Sequence, residues 1–190
     1  MAFADKTQKC TTFVDKIQNC AVVWDFHAIG GNYQYQHATV THFPSQLGGQ
    51  EPAAVFADHI IVNEETLQDL LSVNITHSII WGGSAESDLF LSLRDAQGQD
   101  INITNNLIFS NQEWNQNLTS DALEYVRFKD PFIFDYRLDS MSPAINGSIG
   151  SGLLIDLLGK RRDSIPDLGA YEYFNNWTTT GRSLRCDLLQ

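Results

Sequence analysis

Large apolar residues along this chain do not recur at helical spacing. They alternate with polar residues or stand in pairs, and Ile and Val are prominent among them, a pattern of strands. One short motif returns. Its copies are Ile17-Gln-Asn19-Cys-Ala21-Val22, Tyr35-Gln-His37-Ala-Thr39-Val40, Phe56-Ala-Asp58-His-Ile60-Ile61, Ile75-Thr-His77-Ser-Ile79-Ile80 and Ile103-Thr-Asn105-Asn-Leu107-Ile108. Their offsets are 18, 21, 19 and 28 residues. The template is a large apolar residue, any residue, Asn/Asp/His, any residue, then two apolar or β-branched residues.

The third column has a physical meaning. Asn, Asp and His are the non-glycine residues that most readily enter the left-handed backbone region. One of them between two β-rich runs makes a sharp corner between two strands. Units stacked about 4.8 Å apart pair their backbones with the units above and below. A single unit cannot bury its apolar face, but a stack can. The pattern therefore predicts an all-β chain, a parallel β-solenoid over residues 1–109.

Other segments fit around it. Asp88–Leu93 alternates as a strand, and Arg94–Asp100 with Gly98 reads as an outward loop. Asn63–Leu71 reads as one helical turn, capped by Asn63 and carrying Leu67, Leu70 and Leu71 on one face. Residues 110–129 are polar and aperiodic and read as a long loop. Residues 130–173 read as a last coil and cap, and 174–190 as a poorly ordered tail.

Composition narrows the partners. The chain has 190 residues, 43% hydrophobic, with 12 Lys+Arg against 23 Asp+Glu and a net charge of −11. That balance disfavours a phosphate-tracking nucleic-acid binder. No apolar run approaches the length of a membrane span. The first twenty residues are polar and carry no secretory signal, so the start reads as truncated. Cys10, Cys20 and Cys186 form no metal-binding spacing. Cys10 and Cys20 are free to pair, but buried thiols explain all three more simply.

The C-terminal part carries a resemblance. Asp130-Pro131, Asp135-Tyr136-Arg137-Leu138, Ser142-Pro143-Ala144-Ile145, then Asp156, Gly159, Arg162 and Asp163, and finally Pro166-Asp167-Leu168-Gly169-Ala170-Tyr171-Glu172 stand in order. The set resembles the end of right-handed parallel β-helix proteins of the pectin-lyase-like fold, of the type called the choice-of-anchor Q domain of surface proteins. Ile79-Ile80-Trp81-Gly82 and Gly30-Gly31-Asn32-Tyr33 also look like coils of that group. Asn146 departs from it, standing where the family usually has Asp. The resemblance implies a right-handed parallel β-helix with a C-terminal capping segment, in an extracellular or cell-surface protein. A solenoid's open end is an aggregation template unless covered, so Asp156, Arg162, Asp167, Tyr171 and Glu172 are expected to build a cap, with Asp156 and Arg162 as an ion pair.

Relatives with this fold cleave or bind uronic-acid polymers, which directs attention to polysaccharide. Between Lys16 and Arg94 the chain has no Lys or Arg and eight acids: Asp25, Glu51, Asp58, Glu64, Glu65, Asp69, Glu86 and Asp88. An acidic polymer would be repelled there unless Ca2+ intervened. Adjacent Asp pairs and Gly-His-Gly are absent, so no catalytic residue is assigned. His37, His59 and His77 fall in or beside the repeat columns and read as structural, with no metal site and no cofactor beyond that Ca2+. Trp81, Trp24 and Tyr33 are the candidates for stacking on sugar rings, Trp81 as an exposed platform. The expectation is a monomeric, non-catalytic segment that binds or presents itself to carbohydrate. The alternative is the C-terminal portion of a polysaccharide lyase or glycoside hydrolase whose active coils lie upstream.

Overall fold

The computed structural model describes residues 16–18, 21–23, 26–42, 52–82, 87–95, 97–109, 117–120 and 126–174. The chain is all-β and most of its strands lie in three parallel sheets. The first holds β1 (Lys16–Gln18), β4 (Gly31–Gln36), β9 (Leu71–Thr76) and β12 (Asp100–Thr104). The second holds β2 (Ala21–Val23), β5 (Thr39–His42), β10 (Ile79–Gly82), β13 (Leu107–Phe109) and β14 (Leu118–Ser120). The third holds β3 (Phe26–Ile29), β6 (Ala54–Ala57) and β11 (Leu89–Ser92). From β1 to β13, apart from an excursion between β6 and β9, the chain visits the first, second and third sheets in rotation.

Register follows the repeat at four of its five copies. Ile17, Tyr35, Ile75 and Ile103 stand side by side in the first sheet. Ala21, Thr39, Ile79 and Leu107 do the same in the second. The copy at Phe56 does not belong to these columns. Phe56 lies in the third sheet, beside Ala28 and Leu91. The alternation of that strand mimics the motif, but Asp58 makes no left-handed corner. His37, His77 and Asn105 do, with φ of 51°, 55° and 56°.

The residue after each corner carries a signal that the template left open. Ala38, Ser78 and Asn106 are all fully buried. Ala38 N–H donates to Ser78 Oγ (3.1 Å), Ser78 N–H to Asn106 Oδ1 (2.9 Å), and Asn106 N–H to Asn117 Oδ1 (2.9 Å). The Asn106 amide also donates to Ile75 O, and the Asn117 amide to Ile103 O. Polar side chains thus satisfy the amides that the corner takes out of the strand ladder.

Between the sheets lies a core of Tyr35, Val40, Phe56, Val73, Ile75, Ile80, Leu89, Ile103 and Ile108. Burying each large side chain is worth about 1.5–3 kcal/mol. The apolar pairs of the motif have a second use. Ile80 and Ile108 face this core, whereas Ile79, Trp81 and Leu107 pack on the other side with Val126, Phe128, Tyr136, Leu138, Ala144 and Leu168. The second sheet is covered on both faces, which is why its strands read as unbroken apolar runs.

Two expectations are corrected. Asn63–Leu71 is not helical. Here β7 (His59–Val62) and β8 (Glu65–Gln68) form an antiparallel hairpin. Asn63 and Glu64 turn it with φ of 51° and 69°, the two-residue turn that Asn favours. Residues 110–129 are not one loop either. They contain β14 and the start of β15 (Phe128–Asp130), which pairs antiparallel with β16 (Asp135–Leu138). The remainder of the C-terminal segment to Phe174 is made largely of turns. It packs on Ile79, Trp81 and Leu107 of the second sheet and bonds His37, Thr39 and His77.

Candidate functional site

The outer face of the first sheet is an ordered polar surface built in register by β4, β9 and β12. Strand alternation points Tyr33, Tyr35, Val73, Ile75, Ile101 and Ile103 toward the core. It leaves Asn32, Gln34 and Gln36 on β4, Ser72, Asn74 and Thr76 on β9, and Asp100, Asn102 and Thr104 on β12. In register these form three columns: Asn32–Ser72–Asp100, Gln34–Asn74–Asn102 and Gln36–Thr76–Thr104. Asn32, Gln34, Asp100 and Asn102 are exposed and the others half-buried.

The columns are tied together. Asn102 Nδ2 donates to Asn74 Oδ1 at 2.8 Å. Thr104 Oγ1 donates to Asn102 Oδ1 at 3.4 Å, and Ser72 Oγ to Asp100 Oδ2 at 3.5 Å. Such bonds hold the amides in fixed orientations and leave each a donor or acceptor for a ligand. The face is hydroxyl- and carboxamide-rich and nearly uncharged, Asp100 being its one carboxylate among the nine.

The aromatic candidates do not assemble on it. Tyr33 turns inward and its ring lies 5.6 Å from that of Phe56. Trp81 is not an exposed platform. It is 6% exposed and meets Phe128 edge-on at 5.5 Å, because its strand position points at the C-terminal segment. Trp24 lies outside the described residues.

The C-terminal candidates do come together, in a buried cluster whose polar groups are spent on the chain itself. Arg162 pairs with Glu172 (Nη1–Oε2 3.0 Å), and the Asp156 carboxylate also attracts it. It also donates to the carbonyls of Asp167 and Gly169. Asp156 accepts from the amides of Leu158, Lys160 and Glu172. Glu172 accepts from the amides of Asp163 and Asp167. Asp167 accepts from those of Asn146 and Tyr173. Asn146 sits at φ 56°, a conformation Asn tolerates well. Tyr171 is half-buried against the same apolar cluster.

This segment meets the sheet at a pair of histidines. The rings of His37 and His77 stack at 5.3 Å and 17°. His37 Nε2 bonds Ser151 and, at 3.4 Å, Ser148. His77 Nε2 donates to Ile149 O at 3.2 Å. Burial pushes the His37 pKa down to about 3, helped by the Arg162 guanidinium and by His77. Burial pushes Asp167 up to about 7, against its two amide bonds.

His59 bonds the buried Asp58 carboxylate at 2.8 Å. Asp58 also accepts from the amides of Arg94 and Asp95 and from the side chains of Gln68 and Gln99. It anchors the hairpin base to the loop before β12. Burial raises its pKa, but these bonds win and hold it at about 2. Among the described residues no group of three or more His, Cys, Asp or Glu is placed to hold a metal ion, and no helix is long and apolar enough to cross a membrane.

Comparison with family models, curated proteins and solved structures returned no match for this chain.

Proposed function

We propose that this chain is a stretch of right-handed parallel β-helix from an extracellular or cell-surface protein, and that it binds carbohydrate without cleaving it. The observation that carries the reading is the ordered polar face of the first sheet, with Gln34, Asn74 and Asn102 in register. Rotation of the chain through three parallel sheets, left-handed corners at His37, His77 and Asn105, and buried side-chain bonds between successive rounds all support a solenoid. Carboxamides and hydroxyls in fixed positions suit a hydroxyl-rich polymer. The buried carboxylates of the C-terminal cluster are engaged by backbone amides, and a glycosidase needs two carboxyl groups facing one bond.

The test is a glycan and polysaccharide array probed with the purified chain, beside a lyase assay on uronate polymers with Ca2+. Retention without product is expected. Unsaturated product released by this chain would replace the reading with an enzymatic one.

A further inference from the structure

We infer that the ligand of this face is a neutral, extended polysaccharide that runs across the strands along the Gln34–Asn74–Asn102 column. The inference rests on the carbohydrate reading and names its substrate class and direction.

Charge decides the class. Asp100 is the one charged side chain described on the face, and β4, β9 and β12 hold no Lys or Arg. A uronate polymer carries one negative charge per sugar. It would need a base or a bound cation at every rung, and each rung here supplies an uncharged carboxamide. A neutral polymer needs hydroxyl partners only, and a primary amide both donates and accepts.

Periodicity decides the direction. Across the strands the rungs lie about 4.8 Å apart, close to the length of one hexose in an extended β-1,4-linked chain. The chemistry also repeats in that direction: Gln34, Asn74 and Asn102 are all carboxamides. Along a strand the spacing is about 6.6 Å between same-face residues, and the chemistry changes at each step, as in Ser72, Asn74, Thr76.

Affinity electrophoresis of the intact chain tests both points. The gels contain hydroxyethyl cellulose, laminarin, or polygalacturonate with and without Ca2+. Retardation by a neutral polymer is expected, and none by polygalacturonate. The column variant Gln34→Ala/Asn74→Ala/Asn102→Ala is expected to lose on the order of 100-fold in affinity, and the row variant Ser72→Ala/Asn74→Ala/Thr76→Ala about 10-fold, at roughly one hydrogen bond per site. Circular dichroism checks that both remain folded. Where the triple variant does not fold, Asn102→Ala alone at the exposed rung is expected to lose about 3- to 10-fold. Retardation by polygalacturonate alone overturns the neutral class. Equal losses in column and row variants overturn the direction. No retardation in any gel, together with a blank array, overturns the carbohydrate reading itself.

Discussion

Arg162 and Glu172 form an ion pair with both side chains closed off from water, Nη1 to Oε2 at 3.0 Å. The pair lies inside the C-terminal segment and does not bridge to the sheets. Its use is to fold that segment on itself. Glu172 collects the amides of Asp163 and Asp167, and Arg162 the carbonyls of Asp167 and Gly169. With those groups satisfied, the chain lays an apolar surface on Ile79, Trp81 and Leu107.

Replacing one partner leaves the other charged, buried and alone. Arg162→Met is expected to destabilise the protein by about 3–5 kcal/mol. The double variant Arg162→Met/Glu172→Gln is expected to be less damaging than the sum of its singles, because it strands no full charge. Urea denaturation of the four proteins measures both. Additive losses would show that the two side chains do not act as a pair.

Gly169 sets how closely the segment approaches the sheet. Its φ is 84°, and a Cβ there would lie 2.6 Å from Thr39 Oγ1 and 2.7 Å from Ile79 Cδ1. The same turn supplies Gly169 N–H to His77 O and Ala170 N–H to Thr39 Oγ1, both at 2.9 Å. Gly169→Ala is expected to cost more than the roughly 1–2 kcal/mol of left-handed strain alone, because the turn must also lift. Hydrogen exchange reads the consequence directly: the amides of Gly169 and Ala170 lose protection while those of β9 keep theirs. Unchanged protection at both would show that the contact is not tight.

The corners separate backbone geometry from packing. Asn105 is exposed at φ 56°, whereas Asn106 is buried and bonded on both sides. Asn105→Val is expected to cost about 1–2 kcal/mol through the left-handed conformation, and Asn105→Gly far less. Asn106→Ala removes the acceptor of Ser78 N–H and the donor to Ile75 O. Each buried group left unpaired costs about 1–3 kcal/mol. Thermal melts of the three variants should therefore rank Asn106→Ala below Asn105→Val below Asn105→Gly.

Much of this was legible in the sequence, and the failures have physical reasons. The left-handed column was readable because few residues accept positive φ, and it holds at His37, His77 and Asn105. It failed at Asp58, whose motif is the same but whose side chain is short, anionic and surrounded by amides, so it became a hydrogen-bond hub instead. The hairpin at Asn63 was misread because Leu67, Leu70 and Leu71 also satisfy a helical spacing. The direct partner of Arg162, Glu172, was not legible because sequence order cannot say which carboxylates backbone amides will claim. The polar face was missed altogether: Gln34, Asn74 and Asn102 are ordinary residues until register aligns them. Trp81 reads as a platform in the sequence because nothing local reveals that a segment some fifty residues downstream covers its strand.

The histidine latch makes a prediction about pH. His37 has its pKa lowered from 6.5 to about 3 in the folded protein. Its contribution is complete above pH 6.5 and is lost as pH falls toward 3, because the unfolded chain takes the proton first. Asp167 has its pKa raised from 3.8 to about 7. Its contribution has the opposite sense: it is complete below pH 3.8 and is lost as pH rises toward 7. Between about pH 4 and 6.5 both act with slopes of about 1.4 kcal/mol per pH unit and opposite sign, so the pair leaves stability flat. Breaking the pair exposes each slope. His37→Asn keeps a residue suited to φ 51° and removes the histidine's proton. That variant is expected to gain stability as pH falls from 6.5 to 4, and Asp167→Asn to lose it over the same range. Urea midpoints at half-unit pH steps distinguish the three curves. A wild-type curve that already falls steeply from pH 6.5 to 4 would mean that Asp167 does not hold its proton in the folded protein.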